Sequence, residues 1–579
     1  MQRSRDPMFA KAFLRASAVA VAALAAASCA GMNANKAPNT SIIVPQDPAV
    51  LTQSALRNTL LPATAGAKPA SSLPSDPVLR FYQARNFLPA WDGTAEADAM
   101  AGDVRAVLAR AHEQGLSDED YKMSQPDSRR APGKEAAEYD LAITRAVLRY
   151  AREVRTGRVR PDDVYDDIIL PVAAFDPAKE LNQALANHAV AKLLDGLPPA
   201  HPQYRQLVAA LAQYRKIADA GGWPALPGQS EIKLEGNDPR LSALVKRLGF
   251  EDSILAAIAN PSAAQLHEAV KRFQARNGLE EDGRVGGETL AALGIPASFR
   301  VAQIAANMER WRWMPAAFEH RYIAVNVPDQ SLDFVRDGSA ILHSRVIVGR
   351  KSSPTPITRS TIVAIVANPP WNIPGDIAAR DLLPHLRKSP NYLATKHMVV
   401  TDGPPGDPYG RTIKWANIMP ADFPYAIRQL PGPDTALGAL MLDSPNDFDV
   451  YLHDTPNKKR FASDEREISN GCVRVQQILP LASLAMTDDS GKGVGKLNQV
   501  IKTRQTQRLV LEDPLPVYFL YWTAVTAADG TVGFRTDRYG RDATLIAALT
   551  KAPRKLPAET MRPMPRMDAE PMDPDELSP

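Results

Sequence analysis

Cysteine is almost absent from this sequence, which has two, Cys29 and Cys472, in 579 residues. Cys29 lies at the end of an N-terminal apolar segment that is expected to be removed or modified, so an internal disulfide framework is excluded. Net charge is also small, with 68 basic against 65 acidic residues, and nothing favours nucleic-acid binding. Single hydrophobic cores stop growing at roughly 250–300 residues, so the length predicts several globular domains. One thiol is expected in the folded part.

Long apolar runs are also lacking. The longest, residues 16–27, follows basic residues from Arg3 to Arg15. It is too short for a membrane span, which needs roughly 20 apolar residues, but it suits a secretory signal over residues 1–30. Two interpretations stay open: cleavage after small residues, or lipid attachment at Cys29, where Ala26 replaces the usual leucine. Both predict a periplasmic protein; under the second, a lipid at Cys29 would be its only membrane contact.

Chemistry is concentrated in residues 451–475, where the single expected thiol follows a histidine. His453 lies nineteen residues before Cys472. A thiol needs a base to become a nucleophile near neutral pH, and histidine is the usual one. A lone cysteine or histidine is more often structural, but the two residues at the ends of neighbouring strands would meet in one cleft. The pairing therefore predicts a cysteine nucleophile.

This stretch resembles the catalytic motif of the L,D-transpeptidases, bacterial cysteine enzymes that cross-link peptidoglycan stem peptides. The matching residues are His453-Asp454-Thr455-Pro456 and Ser469-Asn470-Gly471-Cys472-Val473-Arg474-Val475. Many small members have a second histidine where this chain has Asn470. That substitution resembles the large, multidomain branch of the family and leaves His453 as the nearby base.

The resemblance implies acyl transfer. His453 would take the proton of Cys472, and the sulfur would attack the carbonyl between residues three and four of a tetrapeptide stem. The backbone N–H groups near Gly471 and Cys472 would stabilise the oxyanion, and the backbone carbonyl of Asp454 would hold the imidazole. A second stem's amine would then give a 3→3 cross-link, and carbapenems would acylate the same sulfur. The candidate substrate-binding residues are Arg474, Ser469, Asn470, Tyr451 and Trp371.

The remaining sequence predicts an α+β multidomain chain. Residues 31–75 are rich in Ala, Pro, Ser and Thr and are interpreted as a flexible linker. Helical spacing over 76–245 resembles the family's scaffold domain. Residues 269–290 carry a helix, an Asp-Gly turn and a second helix start, and they resemble the three-helix peptidoglycan-binding module, assigned to 246–300. Residues 551–579, rich in Pro, Met and acid, are expected to be a disordered tail.

Strand-like alternation begins at Tyr322 and predicts a β-rich catalytic domain over 301–550. Its landmarks are Gly349-Arg350, Thr355-Pro356 and Asn368-Pro369-Pro370-Trp371. A break in the pattern at about 375–431 resembles the capping insertion of the large branch. Two positions depart from the family: Thr435 replaces an asparagine, and Ala439-Leu440-Met441 lacks its lysine and phenylalanine.

Three functions remain open. The first is the L,D-transpeptidase, acting on peptidoglycan stem peptides as a monomer. The second uses the same thioester chemistry on water or an envelope protein, as an L,D-carboxypeptidase or a wall-anchoring or wall-releasing enzyme. The third is a non-catalytic peptidoglycan-binding scaffold. A zinc peptidase is disfavoured, since the histidines show no short His-x-x-x-His pair, and neither a metal nor another cofactor is expected.

Overall fold

The computed structural model describes residues 47–61, 76–123, 131–171, 174–486, 492–527 and 529–551. The predicted signal with Cys29, much of the predicted linker and residues 552–579 of the predicted tail lie outside these residues. Among the described residues, no single helix has the length and apolar character of a membrane span. The adjacent pair Gly287–Leu293 and Ala297–Arg312, bent by 83°, passes that test by length and composition alone.

The N-terminal part is helical, as the sequence predicts. Two of its helices begin after Asp76 and Asp176, whose carboxylates accept hydrogen bonds from N–H groups of the first helical turn. In both helices the residue after the aspartate is a proline, which needs no N–H partner there. The helices are α1 Pro48–Leu60, α2 Pro77–Ala84, α3 Ala95–Leu108, α4 Lys134–Thr156, α5 Pro177–Ala186, α6 Val190–Asp195 and α7 Pro202–Asp219.

Helix α1 corrects the prediction that residues 31–75 form a linker throughout. Thr52 and Leu56 lie one helical turn apart and are buried, Leu56 against the scaffold core. The guanidinium of Arg57 stacks over the ring of Phe87, 5.0 Å from its centroid. The polar composition of this stretch does not predict a helix. The helix is stabilised by packing of its few buried side chains rather than by helix propensity.

The next unit is a small helical module with its own core. Its helices are α8 Leu241–Gly249, α9 Ser253–Ala256, α10 Ala263–Arg276 and α11 Gly287–Leu293. Ser262 and Gln265 form a reciprocal capping box at the start of α10. The amide of Gln274 accepts from Gly283 N and donates to Thr289, which fixes the predicted Asp-Gly turn. The pattern read as a peptidoglycan-binding module therefore corresponds to one compact helical unit.

Helix α12, Ala297–Arg312, connects this module to the catalytic domain. It packs against α7, and its C-terminal residues are buried. Trp311 stacks on Trp522 with centroids 4.3 Å apart, and Arg310 forms a buried ion pair of 2.6 Å with Asp542. The arginines and tryptophans of this connector thus pack inside a domain junction.

The strands are β1 Ile168–Ile169, β2 Arg321–Asn326, β3 Ser331–Arg336, β4 Ser339–Gly349, β5 Ile357–Ala367, β6 Trp371–Ile373, β7 Met398–Val400, β8 Ile427–Gln429, β9 Leu440–Asp443, β10 Leu452–His453, β11 Glu467–Ser469, β12 Val473–Val475, β13 Gln507–Leu520, β14 Ala524–Thr526 and β15 Val532–Phe534.

The main sheet closes on itself. Its order is β1-β5-β13-β2-β3-β4-β12-β10-β9, and β9 also pairs with β5. We call this closed sheet the barrel. The short parallel pair of β10 and β12 brings His453 and Arg474 opposite each other at one end. Strand β11 pairs with the end of β4, so the segment before Cys472 is attached to the same region.

An insertion with its own core covers residues 371–431 and is called the cap. Its sheet has the order β6-β8-β7, and its helices are α13 Gly375–Ile377, α14 Leu383–Leu386 and α15 Tyr392–Thr395. A π-helical segment, Ala378–Leu382, joins α13 to α14, where Pro384 lies in the first turn and lacks the N–H of a regular helix. The insertion predicted from 375 thus also includes Trp371–Ile373, which supplies one of its strands.

Three helices complete the fold: α16 Ile478–Ala485, α17 Lys492–Lys502 and α18 Arg541–Leu549. Short 3-10 turns lie at Ala111–Gln114, Asp118–Tyr121, Pro161–Asp163, Trp415–Asn417, Pro420–Asp422 and Lys458–Ala462. Helix α16 follows β12 directly and buries Leu481 in the core shared with the barrel. The segment that carries Cys472 is therefore held between a strand of the barrel and a helix packed behind it.

Candidate active site

The candidate nucleophile and base lie on the same side of two paired strands. His453 is the Cα partner of Arg474 in the parallel β10–β12 pair. Side chains alternate along an extended strand, so Cys472, two residues before Arg474, projects to the side that Arg474 and His453 share. Burial follows this alternation: Cys472 and Arg474 are half-buried, and Val473 and Val475 are buried. The sequence motif thus becomes one cluster at the barrel end.

The loop that presents Cys472 is held by its own serine. Gly471 has φ +116°, a conformation that favours glycine. Its N–H donates to Ser469 Oγ at 3.2 Å, and Ser469 Oγ donates to the carbonyl of Cys472 at 2.6 Å. Ser469 is 3% exposed. The structure therefore places this predicted substrate contact as a positioning residue.

A second support comes from residues whose roles the sequence did not predict. Thr355 Oγ1 donates to the Gly471 carbonyl at 2.7 Å and accepts from Gly349 N at 2.9 Å. Tyr539 Oη donates to the Gly349 carbonyl at 2.5 Å. A Cβ on Gly349 would lie 2.3 Å from the Ser353 carbonyl oxygen, so the close approach requires glycine. The Gly349 and Thr355 landmarks were visible in the sequence, but Tyr539 carries no local motif.

Cys472 is protonated in the resting site. Burial raises the pKa of its thiol, an effect that Arg474 and the backbone of Tyr451 reduce but do not reverse. The Sγ atom lies 3.6 Å from the Asp449 carbonyl, which accepts from the thiol. Asp449 itself has φ +52°. The thiol is thus neutral and held on a carbonyl, and it needs a base before it can attack.

His453 is a neutral imidazole in this environment. Burial, followed by the positive charge of Arg474, lowers its pKa to about 4, although the backbone of Asp454 and Leu437 favours the protonated form. The side chain is 4% exposed, and its Nδ1 has no hydrogen-bond partner among the described residues. The predicted hold by the Asp454 carbonyl stays a prediction. A neutral imidazole on the side of the strand pair that Arg474 occupies could accept a proton from a nearby thiol, as a general base must.

The Asp454 carboxylate organises the neighbouring loop. Its Oδ2 accepts from Ala439 N at 2.9 Å, and its Oδ1 pairs with Lys458. A Cβ on Gly438, which has φ +66°, would lie 2.4 Å from Asp454 Cβ. Thr435, where the family commonly has asparagine, donates its hydroxyl to the Leu430 carbonyl at 2.9 Å and is buried. Thr435 and Ala439, two positions at which this chain differs from the family pattern, therefore shape turns close to His453.

The backbone N–H groups differ in availability. The Gly471 N–H, predicted as an oxyanion donor, is already bonded to Ser469 Oγ. The N–H of Cys472 has no acceptor among the described residues, and it favours the thiolate form of its own side chain. The Cys472 N–H is therefore the better placed of the two for a developing oxyanion.

The other predicted substrate contacts divide between two locations. Tyr451 is half-buried, and its hydroxyl donates to Asp449 Oδ1 at 3.3 Å. Burial and the Asp449 carboxylate raise the pKa of Tyr451, so it remains a neutral donor. Trp371 lies in β6 and packs partly against the cap core.

Positive charge surrounds the thiol. Asn470 Oδ1 accepts from Arg350 and, at 2.9 Å, from Arg380 of the cap. Burial lowers the pKa of Arg474, and the nearby guanidiniums of Arg350 and Arg460 lower it further. The cap and the barrel thus meet at Asn470, directly beside the nucleophile.

Comparisons with known proteins agree with this division of the chain. Residues 320–500 match the family described as "L,D-transpeptidase catalytic domain", residues 243–293 match "Putative peptidoglycan binding domain", and residues 76–211 match "Scaffold domain". A protein of Haemophilus influenzae named "Putative L,D-transpeptidase" is 36% identical over 240 residues, which are 42% of this chain. The matched region spans about half of that relative, 48% of its length.

Proposed function

We propose that this chain, whose segments match an L,D-transpeptidase catalytic domain, a peptidoglycan-binding domain and a scaffold domain, cross-links peptidoglycan stem peptides through a thioester on Cys472. The observation that carries the proposal is the parallel pairing of His453 with Arg474, two residues after Cys472, which supports a base and a thiol on one side of the barrel end. The reaction is an acyl transfer in two halves.

In the first half, the Cys472 thiol gives its proton to His453 as its sulfur bonds to the carbonyl carbon between residues three and four of the donor stem. The imidazole, neutral because its pKa is about 4, is ready for that proton near neutral pH. The proton then passes to the nitrogen of residue four as the C–N bond breaks. Residue four leaves as a free amino acid, and the donor remains as a thioester.

In the second half, a side-chain amine on residue three of another stem attacks the thioester carbonyl. The amine loses its proton to His453, the C–S bond breaks, and the thiolate takes the proton back. The product joins residue three of one stem to residue three of the other, a 3→3 cross-link. Positive charge from Arg474, which favours the thiolate of Cys472, supports both bond-making and bond-breaking at sulfur.

The Cys472 N–H would stabilise the oxyanion of each tetrahedral intermediate. Removing one such donor typically costs about 100- to 1000-fold in rate. The loop fixes this N–H through Ser469 and Thr355, so the donor is positioned before substrate arrives. Preorganised donors of this kind contribute because they need no rearrangement at the moment of reaction.

The remaining domains serve delivery of the polymer. The helical module would hold peptidoglycan near the barrel, and secretion directed by residues 1–30 would place the enzyme in the periplasm, with or without a lipid at Cys29. The substrate is the stem peptide, and we expect no nucleic acid or metal in the reaction. The match of residues 243–293 to the peptidoglycan-binding family supports the proposed role of the helical module.

Product analysis tests the proposal. The purified chain is incubated with disaccharide–tetrapeptides, and products are separated by chromatography and mass spectrometry. We expect 3→3 dimers from the parent and from Cys29→Ser, and none from Cys472→Ser. Intact-mass spectra with a carbapenem should show one covalent adduct on the parent and none on Cys472→Ser.

Two other results would contradict the transpeptidase. Tripeptide as the sole product, even with excess acceptor amine, would indicate an L,D-carboxypeptidase, and transfer only to an envelope protein would indicate wall anchoring. Sacculus binding that persists in Cys472→Ser, without acylation of the parent, would indicate a non-catalytic scaffold.

A further inference from the structure

Four arginines from four structural elements lie around Asn470 and Arg474, the residues two positions before and two positions after Cys472. Arg350 follows β4, Arg474 lies in β12, Arg460 belongs to a 3-10 turn and Arg380 lies in the π-helical segment of the cap. Among the described residues, no carboxylate lies within ion-pair distance of Arg350, Arg460 or Arg474. Arg380 alone is paired, with Asp381 at 2.9 Å. Positive charge therefore exceeds negative charge in this cluster.

The cluster also holds unused hydrogen-bond donors. The Nε atoms of Arg350 and Arg474 are buried and have no partner among the described residues. Unpaired buried donors cost free energy, and a bound acceptor would remove that cost for these two atoms. Guanidinium groups present planar, charged donors that match a carboxylate. The ligand that fits this cluster is a carboxylate.

The donor stem of the proposed reaction carries a carboxylate at the required reach. When the scissile carbonyl carbon lies at Cys472 Sγ, only a nitrogen and a Cα separate it from the α-carboxylate of the residue that leaves, a distance of roughly 4 Å. Arg474 is close enough to Cys472 for its charge to act on the thiol, and Asn470, two residues before Cys472, carries Arg350 and Arg380. A side-chain carboxylate on residue three would be several bonds further away.

We propose that Arg350, Arg474 and the cap residue Arg380 bind the terminal α-carboxylate of the donor stem and so select stems that end one residue after the scissile bond. This inference rests on the proposed function. A stem with a further residue presents a neutral amide at that position and loses the charge-assisted hydrogen bonds. Asn470 holds Arg350 and Arg380 together, and Asp381 competes with the substrate for Arg380.

The experiment compares three donors on the full chain: a tetrapeptide stem with a free terminal carboxylate, the same stem as a terminal carboxamide, and a stem with a free terminus whose residue-three carboxylate is amidated. Acyl-enzyme formation is followed by intact mass, and kcat/KM is measured for each donor. We expect the parent to prefer the free terminus by about 10- to 100-fold over the terminal carboxamide, as expected for charge-assisted hydrogen bonds. Amidation at residue three should have little effect.

Two substitutions in the cap are expected to change the preference for a free terminus in opposite directions. Arg380→Gln should reduce the preference several-fold, mainly by raising KM for the free-terminus donor, and Arg380→Lys should restore part of it. Asp381→Asn should increase the preference, because it releases Arg380 from its carboxylate partner. The matched control is Arg411→Gln, an exposed cap arginine stacked near Tyr409, which should leave the ratio unchanged.

Each outcome is decisive. Equal use of free and amidated termini by the parent, or discrimination that follows the residue-three carboxylate, would overturn this inference while leaving the acyl transfer intact. A preference that Arg380→Gln leaves unchanged would remove the cap from the proposal. No acyl-enzyme from any donor would instead overturn the proposed function itself.

Discussion

The catalytic loop and the cap hold their structure in different ways. The loop around Cys472 is fixed by specific hydrogen bonds through Ser469 and Thr355 to buried backbone groups of the barrel. The cap has a hydrophobic core of its own around Trp415, and it meets the loop through Arg380 on Asn470. The loop around Cys472 therefore has a fixed geometry. The cap brings the exposed side chain of Arg380 to the edge of that loop.

Under the proposed function, this difference would assign the chemistry to the loop and the selection of substrate to the cap. Acylation of Cys472 needs sub-ångström positioning of thiol, base and N–H, which a barrel end supplies. Recognition of the stem needs a surface that can approach and leave, as an insertion with a separate core can. Changes in the barrel end should therefore affect all acylating molecules, and changes in the cap should affect peptides more than small probes.

The largest effect is expected at the base. His453→Gln removes the proton acceptor, and loss of a general base typically reduces the rate by about 10²- to 10⁴-fold. The fall should be similar for stem peptides and for a carbapenem, because both need the deprotonated sulfur. Adduct formation followed by intact mass measures it. A fall confined to peptides would place His453 with the cap in substrate selection.

A substitution in the cap core is expected to affect peptides more than a carbapenem. Trp415→Ala removes a side chain that is 5% exposed and donates to the Gly410 carbonyl at 2.9 Å, and such truncations cost about 3–5 kcal/mol. We expect the cap to open to proteolysis while the barrel stays folded. Cross-linking should then fall far more than carbapenem adduct formation. Equal losses of both would show that the cap and the barrel end fold as one unit.

Thr355 tests the loop support itself. Thr355→Val leaves the Gly471 carbonyl and the Gly349 N–H without their partner, at a cost of about 1–3 kcal/mol. Thermal unfolding should shift downward, and acylation by both probes should slow by a similar factor. Thr355→Ser keeps the hydroxyl and is the matched control. Unchanged acylation in the valine variant would remove Thr355 from loop positioning.

The smallest effect concerns pH. The pKa of His453 is about 4 rather than the ordinary 6.5, chiefly because of burial and then Arg474. The acylation rate should therefore persist from pH 7 to about 5 and decline only near 4. Arg474→Gln removes the nearby cation and should move this decline upward. A decline centred at 6.5 in the parent would contradict the assignment.

The same shift makes folding pH-dependent. The unfolded chain protonates this histidine at about 6.5 and the folded chain only near 4, so its stabilising contribution is complete above pH 6.5. That contribution is lost as pH falls toward 4. Equilibrium unfolding of His453→Gln should lack this component.

The candidate reacting residues could be predicted from the sequence because they lie within one short motif. Cys472, His453 and the Gly471 turn needed only local spacing. Tyr539 and Arg380 were missed because their partners, Gly349 and Asn470, are brought near only by tertiary structure. Ser469 was given a substrate role because a motif shows that a hydroxyl is present but not where it donates. Helix α1 was missed because packing against the scaffold, rather than composition, stabilises it.

Strand β13 has a consequence for how the molecule assembles. It lies between β5 and β2, and its Val517 pairs with Ile323, almost two hundred residues earlier. Contacts so distant along the chain form slowly, because a long loop must close before they stabilise anything. During synthesis the barrel must wait for residues that follow Cys472. A chain that ended at Val475 would contain all the motif residues without the strand that completes the sheet around them.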